Sequence, residues 1–130
     1  MNPLSKSEYE VLALLWRENR GLTAVEINEL AEDKSWKNTS IHLILNSMLD
    51  KGVAIVDGMV RSGRVYSRLF RAALTPEEYA MMQVKQSTAF AHDQSAAITS
   101  LVTALIDSSE INKEAIERIE ELIKKKKESL

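Results

Sequence analysis

A row of mostly polar side chains follows one side of a helix predicted over residues 37–51. All of them can form hydrogen bonds, apart from one leucine that can contact a methyl group. They are Thr39, Ser40, His42, Leu43, Asn46 and Ser47, and the first five are the expected base contacts. No carboxylate follows before Asp50, so this side of the helix can approach a polyanion. Side chains of these types read base edges and thymine methyl groups in DNA, and they predict recognition rather than catalysis.

The opposite side of the same helix is apolar and predicts contact with a core. Its apolar residues recur at the spacing that places them on a single helix face. They are Ile41, Ile44, Leu45, Met48 and Leu49. Gly52 then supplies the left-handed residue that ends a helix.

Basic residues are concentrated in the middle of an otherwise acidic chain. Residues 34–71 hold seven Lys and Arg against two Asp, both flanking segments are net acidic, and the whole chain has a net charge of −2. For nucleic-acid binding the local patch matters more than the total charge. The candidate phosphate contacts are Lys37, Arg61, Arg64 and Arg68.

Two further helices are predicted ahead of this one. Ser5 and Glu8 form a capping box for a helix over residues 6–18, and Thr23 begins a second, short helix in the same way after an extended link at Leu22. Two helices joined by a short polar turn, the second with an uncharged or basic outer side, are typical of a helix-turn-helix. The same spacing also fits two helices that simply pack in a core.

A β-hairpin is predicted directly after the third helix. Residues 53–60 and 64–70 are β-rich runs, separated by a turn at Arg61-Ser62-Gly63. A hairpin in this position is a wing, with Arg61 and Arg64 at its tip. Arg68 is four residues after Arg64 and therefore lies on the same face of the strand. We favour phosphate contact over ordinary solvent-exposed arginines because these charges are concentrated where a wing meets DNA.

The rest of the chain is predicted to be helical. Thr75 and Glu78 form a capping box for the first of these helices, with Pro76 at its first position, and Asn112 caps the last. Fewer than sixty residues in amphipathic helices make a poor core alone, so we expect them to pair with a second copy; folding back on the first domain is the alternative. The expected dimerisation residues are Tyr79, Met82, Phe90, Leu101, Leu105, Ile116, Ile119 and Leu122.

The predicted fold is therefore mainly α with a small β-hairpin. A winged helix-turn-helix domain is expected over residues 1–73, followed by a C-terminal helical dimerisation domain over residues 74–130.

Several classes of function have no support in the sequence. The absence of cysteine excludes disulfides, thiolate metal sites and a cysteine nucleophile. His42 and His92 have no metal-ligand spacing, and no nucleophile elbow or glycine-rich phosphate loop occurs. We expect no enzyme activity, no metal and no cofactor. Without a signal peptide or an apolar run that could cross a bilayer, the expected location is cytoplasmic, with no membrane partner.

A set of landmarks extends along nearly the whole chain in a characteristic order. They are Leu4-Ser5-x-x-Glu8-Tyr9-Glu10-Val11, Leu15-Trp16, Leu22-Thr23-Ala24-x-Glu26-Ile27, Trp36, Leu45-Asn46-x-Met48-Leu49-x-Lys51-Gly52, Arg64-Val65-Tyr66 and Glu77-Glu78-Tyr79. In this order and spacing the sequence resembles the penicillinase-repressor family of winged-helix transcriptional regulators (the BlaI/MecI/CopY group). The resemblance implies a homodimer that places its third helices in the major grooves of a palindromic operator and dimerises through its C-terminal helices.

The chain also departs from the family's usual pattern. His42 and Ser47 stand where the third helix usually carries basic residues, and Leu43 replaces a polar residue that faces the groove. The loss of two phosphate contacts would flatten the salt dependence of binding by about two units, and Leu43 could favour thymine.

The inducing signal does not follow from the resemblance. β-Lactam-responsive members are inactivated by cleavage of an Asn-Phe bond, but the corresponding segment here is Ala104-Leu105. The cysteine cluster of copper-responsive members is absent. Any upstream sensor or protease therefore stays unidentified.

The leading interpretation is a dimeric repressor of transcription that binds a double-stranded DNA operator. In it the helix over residues 37–51 enters the major groove and the hairpin over residues 53–70 contacts the backbone. The alternative is a protein-interaction module on a winged-helix scaffold, with weak or no DNA binding.

Overall fold

The computed structural model describes residues 3–87, 90 and 92–130. Its backbone divides into two compact units, Met1–Met81 and Met82–Leu130. The chain is mainly helical with an antiparallel hairpin, which confirms the predicted fold class. The assignment of DNA binding to residues 1–73 and of dimerisation to residues 74–130 stays a prediction.

The first unit opens with two helices that begin at capping boxes, as predicted. In α1, Lys6–Glu18, the Ser5 hydroxyl accepts from the Glu8 N–H and the Glu8 carboxylate accepts from the Ser5 N–H. Thr23 and Glu26 do the same at the start of α2, Ala24–Leu30. Each box satisfies backbone donors that have no partner inside the helix.

The third predicted helix consists of two segments. A 3₁₀ turn over Asn38–Ser40 leads into α3, Ile41–Asp50. Gly52 follows the helix with a φ of 76°, which is the left-handed conformation predicted for a glycine at this position.

The hairpin joins β1, Ala54–Ser62, to β2, Val65–Ala72. Ser62 pairs with Val65, so the turn is Gly63-Arg64 instead of the predicted Arg61-Ser62-Gly63. The turn is shifted because Arg61 remains in the ladder, paired with Tyr66. Arg64 therefore lies at the tip of the hairpin and not on a strand.

The hairpin contains a bulge, and its second strand is bound to the link between α1 and α2. A bulge in β1 between Val56 and Met59 includes Gly58, which has a φ of 97°. Glycine adopts this positive φ without strain because it has no Cβ. Leu22 forms a backbone bridge to Phe70 of β2 through hydrogen bonds of 2.9 and 2.7 Å, which confirms the extended link predicted there.

The core of the first unit lies between the helices and the hairpin. Its fully buried side chains come from each of these elements: Val11, Leu12, Leu15, Leu22, Ile27, Leu45, Met48, Val53 and Phe70. Because α3 buries Ile41, Leu45 and Met48, its opposite side faces solvent.

An aromatic cluster ends the first unit. The rings of Tyr9, Trp16 and Tyr79 pack with centroids 5.8 to 6.3 Å apart, and Trp16 Nε1 donates to the Leu74 carbonyl at 2.8 Å. Tyr79 lies in α4, Pro76–Lys85, which begins at the predicted capping box of Thr75 and Glu78.

The second unit contains α5, Gln94–Ser108, and α6, Lys113–Ser129. Asp93 caps α5, and Asn112 caps α6 as predicted, accepting from the Ala115 N–H at 2.8 Å. Apolar side chains of both helices are exposed to solvent: Ile98, Leu101, Val102, Leu105, Ile106, Ile116, Leu122 and Ile123. Within the described ranges, no helix combines the length and the apolar character needed to cross a membrane.

Candidate nucleic-acid interface

The solvent-facing side of α3 and its preceding turn carries the residues predicted to contact bases. Thr39, His42 and Asn46 are exposed, Ser40 is half-buried, and Leu43 is 76 % exposed. Thr39 and Ser40 lie in the 3₁₀ turn, while the other three lie on α3. The five side chains thus share one accessible surface, which we call the α3 face.

Asn28 of α2 holds the segment that leads into α3. Its Oδ1 accepts from Trp36 Nε1 at 2.8 Å, and its Nδ2 donates to the Asn38 carbonyl at 3.1 Å. Its carbonyl accepts from Lys34 Nζ at 3.5 Å. One amide side chain therefore links α2, the buried Trp36 ring and the first residue of the 3₁₀ turn.

Helix α1 holds the same connection from the other side. The Glu10 carboxylate accepts from the Ser35 hydroxyl at 2.7 Å and from the Ser35 N–H at 3.2 Å. The Ser35 hydroxyl also lies 3.0 Å from that of Ser7. The position of the α2–α3 connection, and with it the start of the α3 face, is set by side chains of both preceding helices.

A buried ion pair fixes the end of α3. Lys51 Nζ lies 2.6 Å from Glu8 Oε1 and also donates to the Pro3 carbonyl at 3.0 Å. Burial raises the pKa of Glu8, but hydrogen bonds from Lys51, Ser47 and Ser5 outweigh it and lower the pKa to about 2. The carboxylate therefore remains charged, and Lys51 is held in this ion pair and is not available to a ligand.

The hairpin arginines differ in how firmly they are held. Arg61 donates to the Gly63 carbonyl at 2.7 Å and lies over the Tyr66 ring, at 5.8 Å. Arg68 is half-buried, lies 4.9 Å over the Phe70 ring and donates to Asn46 Oδ1 at 3.4 Å. Arg64 is exposed at the turn, and within the described residues its side chain forms no hydrogen bond or ion pair.

Ion pairs remove two basic side chains from the middle block. Lys51 is paired with Glu8, and Arg71 lies 2.7 Å from Asp57. Among the residues that the structure describes, Lys37, Arg61, Arg64 and Arg68 have no carboxylate partner. The four cations predicted to contact phosphate are therefore available to an anionic ligand.

Sequence reasoning did not find the residues that position the α3 face. Asn28 and Ser35 lie in a helix and a turn without a recognisable motif, and Glu10 and Lys51 occur only within family landmarks that assign them no contact. Their roles depend on contacts between residues distant in the chain. The one available signal was Glu8, whose capping-box pattern placed its carboxylate at the start of α1.

In a comparison with sequence models of protein families, residues 4–125 match the family described as Penicillinase repressor. The chain belongs to the penicillinase repressor family. The match extends from the residue before the Ser5 cap into α6, so the penicillinase repressor pattern includes parts of both compact units. A comparison with curated proteins gave no match.

Ser47 is one of the positions at which this chain departs from the family's usual basic residues. It was predicted on the outer side of the helix but is half-buried, and it is one of the groups that lower the pKa of Glu8. His42, the other such position, is exposed on the α3 face. Of these two positions, only His42 is fully accessible to a ligand.

The residues that the sequence predicts to mediate dimerisation lie in different surroundings. Tyr79 is buried in the aromatic cluster of the first unit, so little of its surface remains for a second chain. Met82, Phe90 and Ile119 are half-buried. The exposed members are Leu101, Leu105, Ile116 and Leu122. No group of three His, Asp or Glu side chains that could hold a metal occurs in the described part of the chain.

Proposed function

We propose that this protein is a dimeric winged-helix repressor of transcription that binds a palindromic DNA operator. The α3 face enters the major groove, and Lys37 with the hairpin arginines contacts the phosphates. The observation that carries the proposal is the combination, within one unit, of the accessible α3 face and these four cations, which form no ion pair with any described carboxylate.

The α3 face has the composition needed to read base pairs. Thr39, Ser40, His42 and Asn46 offer hydrogen-bond donors and acceptors, and a helix of this diameter fits the major groove. Membership of the penicillinase repressor family supports the same role. The turn residues Thr39 and Ser40 lie at the N-terminal end of α3, the part of a recognition helix that contacts base edges.

Dimerisation is supported by the exposed apolar surface of the second unit. A groove of about 530 Å³ between α5 and α6 is lined mostly by apolar side chains, including Val102, Leu105 and Ile119. A second groove of about 590 Å³ lies near the start of α5. Contiguous apolar surface of this kind is characteristic of an interface, and a palindromic operator requires two-fold symmetry.

Binding of labelled duplexes from the DNA flanking the protein's own gene tests this function by fluorescence anisotropy. We expect tight binding at low salt, a steep loss of affinity as salt rises, and protection of an inverted repeat with half-sites about one helical turn apart. Arg64→Ala should weaken binding to all sequences alike and lower the salt slope by about one. Arg20→Ala, which removes a cation already paired with Glu26 at 3.1 Å, is the matched control.

The second candidate function is protein binding through the same surface. Its support is Leu43, a large apolar side chain that is exposed in the centre of the α3 face. Winged-helix scaffolds are not restricted to one kind of ligand. If the protein binds none of the flanking DNA at low salt but forms a stable complex with a purified partner that Leu43→Ala abolishes, the DNA-binding function is excluded.

A further inference from the structure

Arg68 and Asn46 form a link between the hairpin and the α3 face. Arg68 Nη2 lies 3.4 Å from Asn46 Oδ1, and the two residues are 22 positions apart in the chain. The sequence predicted separate roles for them, phosphate contact for Arg68 and base contact for Asn46. Their contact indicates that the two roles are coupled.

Arg68 is in a position to orient Asn46 because it is itself held in place. Its guanidinium lies 4.9 Å from the centre of the Phe70 ring, and Phe70 is a fully buried core residue. Such a cation–π contact favours one arrangement of the long arginine side chain. Arg68 is half-buried, whereas Arg61 and Arg64 are exposed.

The chemistry of the pair determines which amide atom faces the hairpin. A guanidinium has only donors, so the Asn46 atom directed toward it must be the oxygen. The Nδ2 group, with its two donors, then points away from Arg68. Asn46 lies exposed on α3, so these donors are available on the α3 face.

We propose that Arg68 is a positioning residue that makes Asn46 a hydrogen-bond donor to an acceptor on a major-groove base edge. The proposal rests on the proposed DNA-binding function. Guanine presents two such acceptors, O6 and N7, and thymine presents O4, whereas adenine places an N6 donor beside its N7 acceptor and cytosine presents only a donor. An asparagine with a free amide prefers adenine, because its oxygen accepts from N6 and its nitrogen donates to N7. When the oxygen already accepts from Arg68, its hydrogen bond to N6 is weakened and the preference for adenine falls. The preferred base at this position is therefore guanine or thymine.

Base preference at each operator position, measured by selection from a randomised duplex library, tests the proposal. Arg68→Ala should lower affinity and also shift the preference at one position of each half-site toward adenine, by about 5- to 10-fold. Arg64→Ala is the matched control, because Arg64 has no contact with Asn46 and should leave the preference unchanged. In an Asn46→Ala background, Arg68→Ala should cause no shift. Equal, sequence-independent losses for Arg68→Ala and Arg64→Ala would overturn the proposal.

A measurement without DNA separates this proposal from the proposed function. The side-chain amide signals of Asn46 in a ¹⁵N correlation spectrum of the full chain should move in Arg68→Ala and stay in place in Arg64→Ala. If they move and no duplex is bound, the contact exists but the DNA-binding function fails, and the base-reading role fails with it. If duplexes are bound and the Asn46 signals do not move, only the Arg68 proposal is overturned.

Discussion

Lys51 Nζ and Glu8 Oε1 lie 2.6 Å apart and connect the end of α3 to the first turn of α1. Glu8 is 4 % exposed, and the same carboxylate oxygen accepts from the Ser5 N–H. One side chain therefore caps α1 and neutralises Lys51. Because α3 carries the proposed base contacts, this pair also sets the orientation of the helix that presents them.

Lys51→Met should destabilise the fold, because it leaves a buried carboxylate without its counter-charge. We expect a loss of about 2–4 kcal/mol in the free energy of unfolding at pH 7, measured by urea denaturation. Arg71→Met is the control: it breaks an exposed pair of 2.7 Å with Asp57 and should cost no more than about 1 kcal/mol. Similar losses in both variants would show that the Glu8–Lys51 pair has no special role.

The pH dependence of stability follows from the lowered pKa of Glu8. Its pKa falls from an ordinary 4.5 to about 2 in the folded protein, so the pair stabilises the fold above about pH 4.5. That stabilisation should be lost as the pH falls from 4.5 toward 2. In Lys51→Met the pH-dependent loss over this window should be smaller, which urea denaturation at stepwise pH values measures. An unchanged pH profile would contradict the assignment.

Local signals in the sequence predicted the elements well because each signal acts within a few residues. The capping boxes at Ser5, Thr23 and Thr75 begin their helices as expected. The apolar spacing of α3 predicted which of its sides is buried, and therefore which side is available. The hairpin turn was misplaced because the strand propensity of Arg61 and Ser62 depends on cross-strand partners, which local composition does not contain.

The contacts that position the candidate site could not be predicted in this way. Glu8 and Lys51 are 43 residues apart, and Asn46 and Arg68 are 22 apart. Which of several basic residues meets which carboxylate is decided by tertiary packing and not by residue type. The charge block of residues 34–71 predicted a basic surface but could not show that Lys51 and Arg71 are committed to ion pairs.

Substitution of Asn28 should weaken DNA binding from a distance by releasing the segment before α3. Asn28→Leu removes the acceptor of Trp36 Nε1 and the donor to the Asn38 carbonyl, and should cost about 1–2 kcal/mol of stability. Asn28→Asp keeps the acceptor and loses only the donor. We expect both variants to lower operator affinity in anisotropy titrations, with the smaller stability loss for Asn28→Asp. Val25→Ala, an exposed change on the same helix, is the control. Unchanged operator affinity in Asn28→Leu would show that Asn28 has no role in positioning the α3 face.

Leu43 should contact a thymine methyl group if α3 lies in the major groove. Replacing single thymines of the operator with deoxyuridine removes only that methyl group. At the contacted position this replacement should cost the wild-type protein about 1 kcal/mol of binding free energy. The Leu43→Ala variant should bind the thymine and deoxyuridine duplexes with equal affinity. Stability should not change in Leu43→Ala, because 76 % of the side chain is already exposed. If no thymine position distinguishes the two proteins, Leu43 does not read a methyl group.

The exposed apolar surface of α5 and α6 should pair with a second copy of the chain. Leu105→Asp places a charge on a side chain that is 54 % exposed and lines the groove between these helices, and it should shift the protein toward monomers. Leu130→Asp is the control, because Leu130 is 91 % exposed at the chain end. Sedimentation equilibrium measures the mass of each protein. We expect twice the chain mass for the wild type and for Leu130→Asp, and a mass near that of one chain for Leu105→Asp. The operator affinity of Leu105→Asp should fall with its dimerisation, since two linked half-sites bind far more tightly than one. A wild-type mass of one chain at micromolar concentration would exclude the dimer.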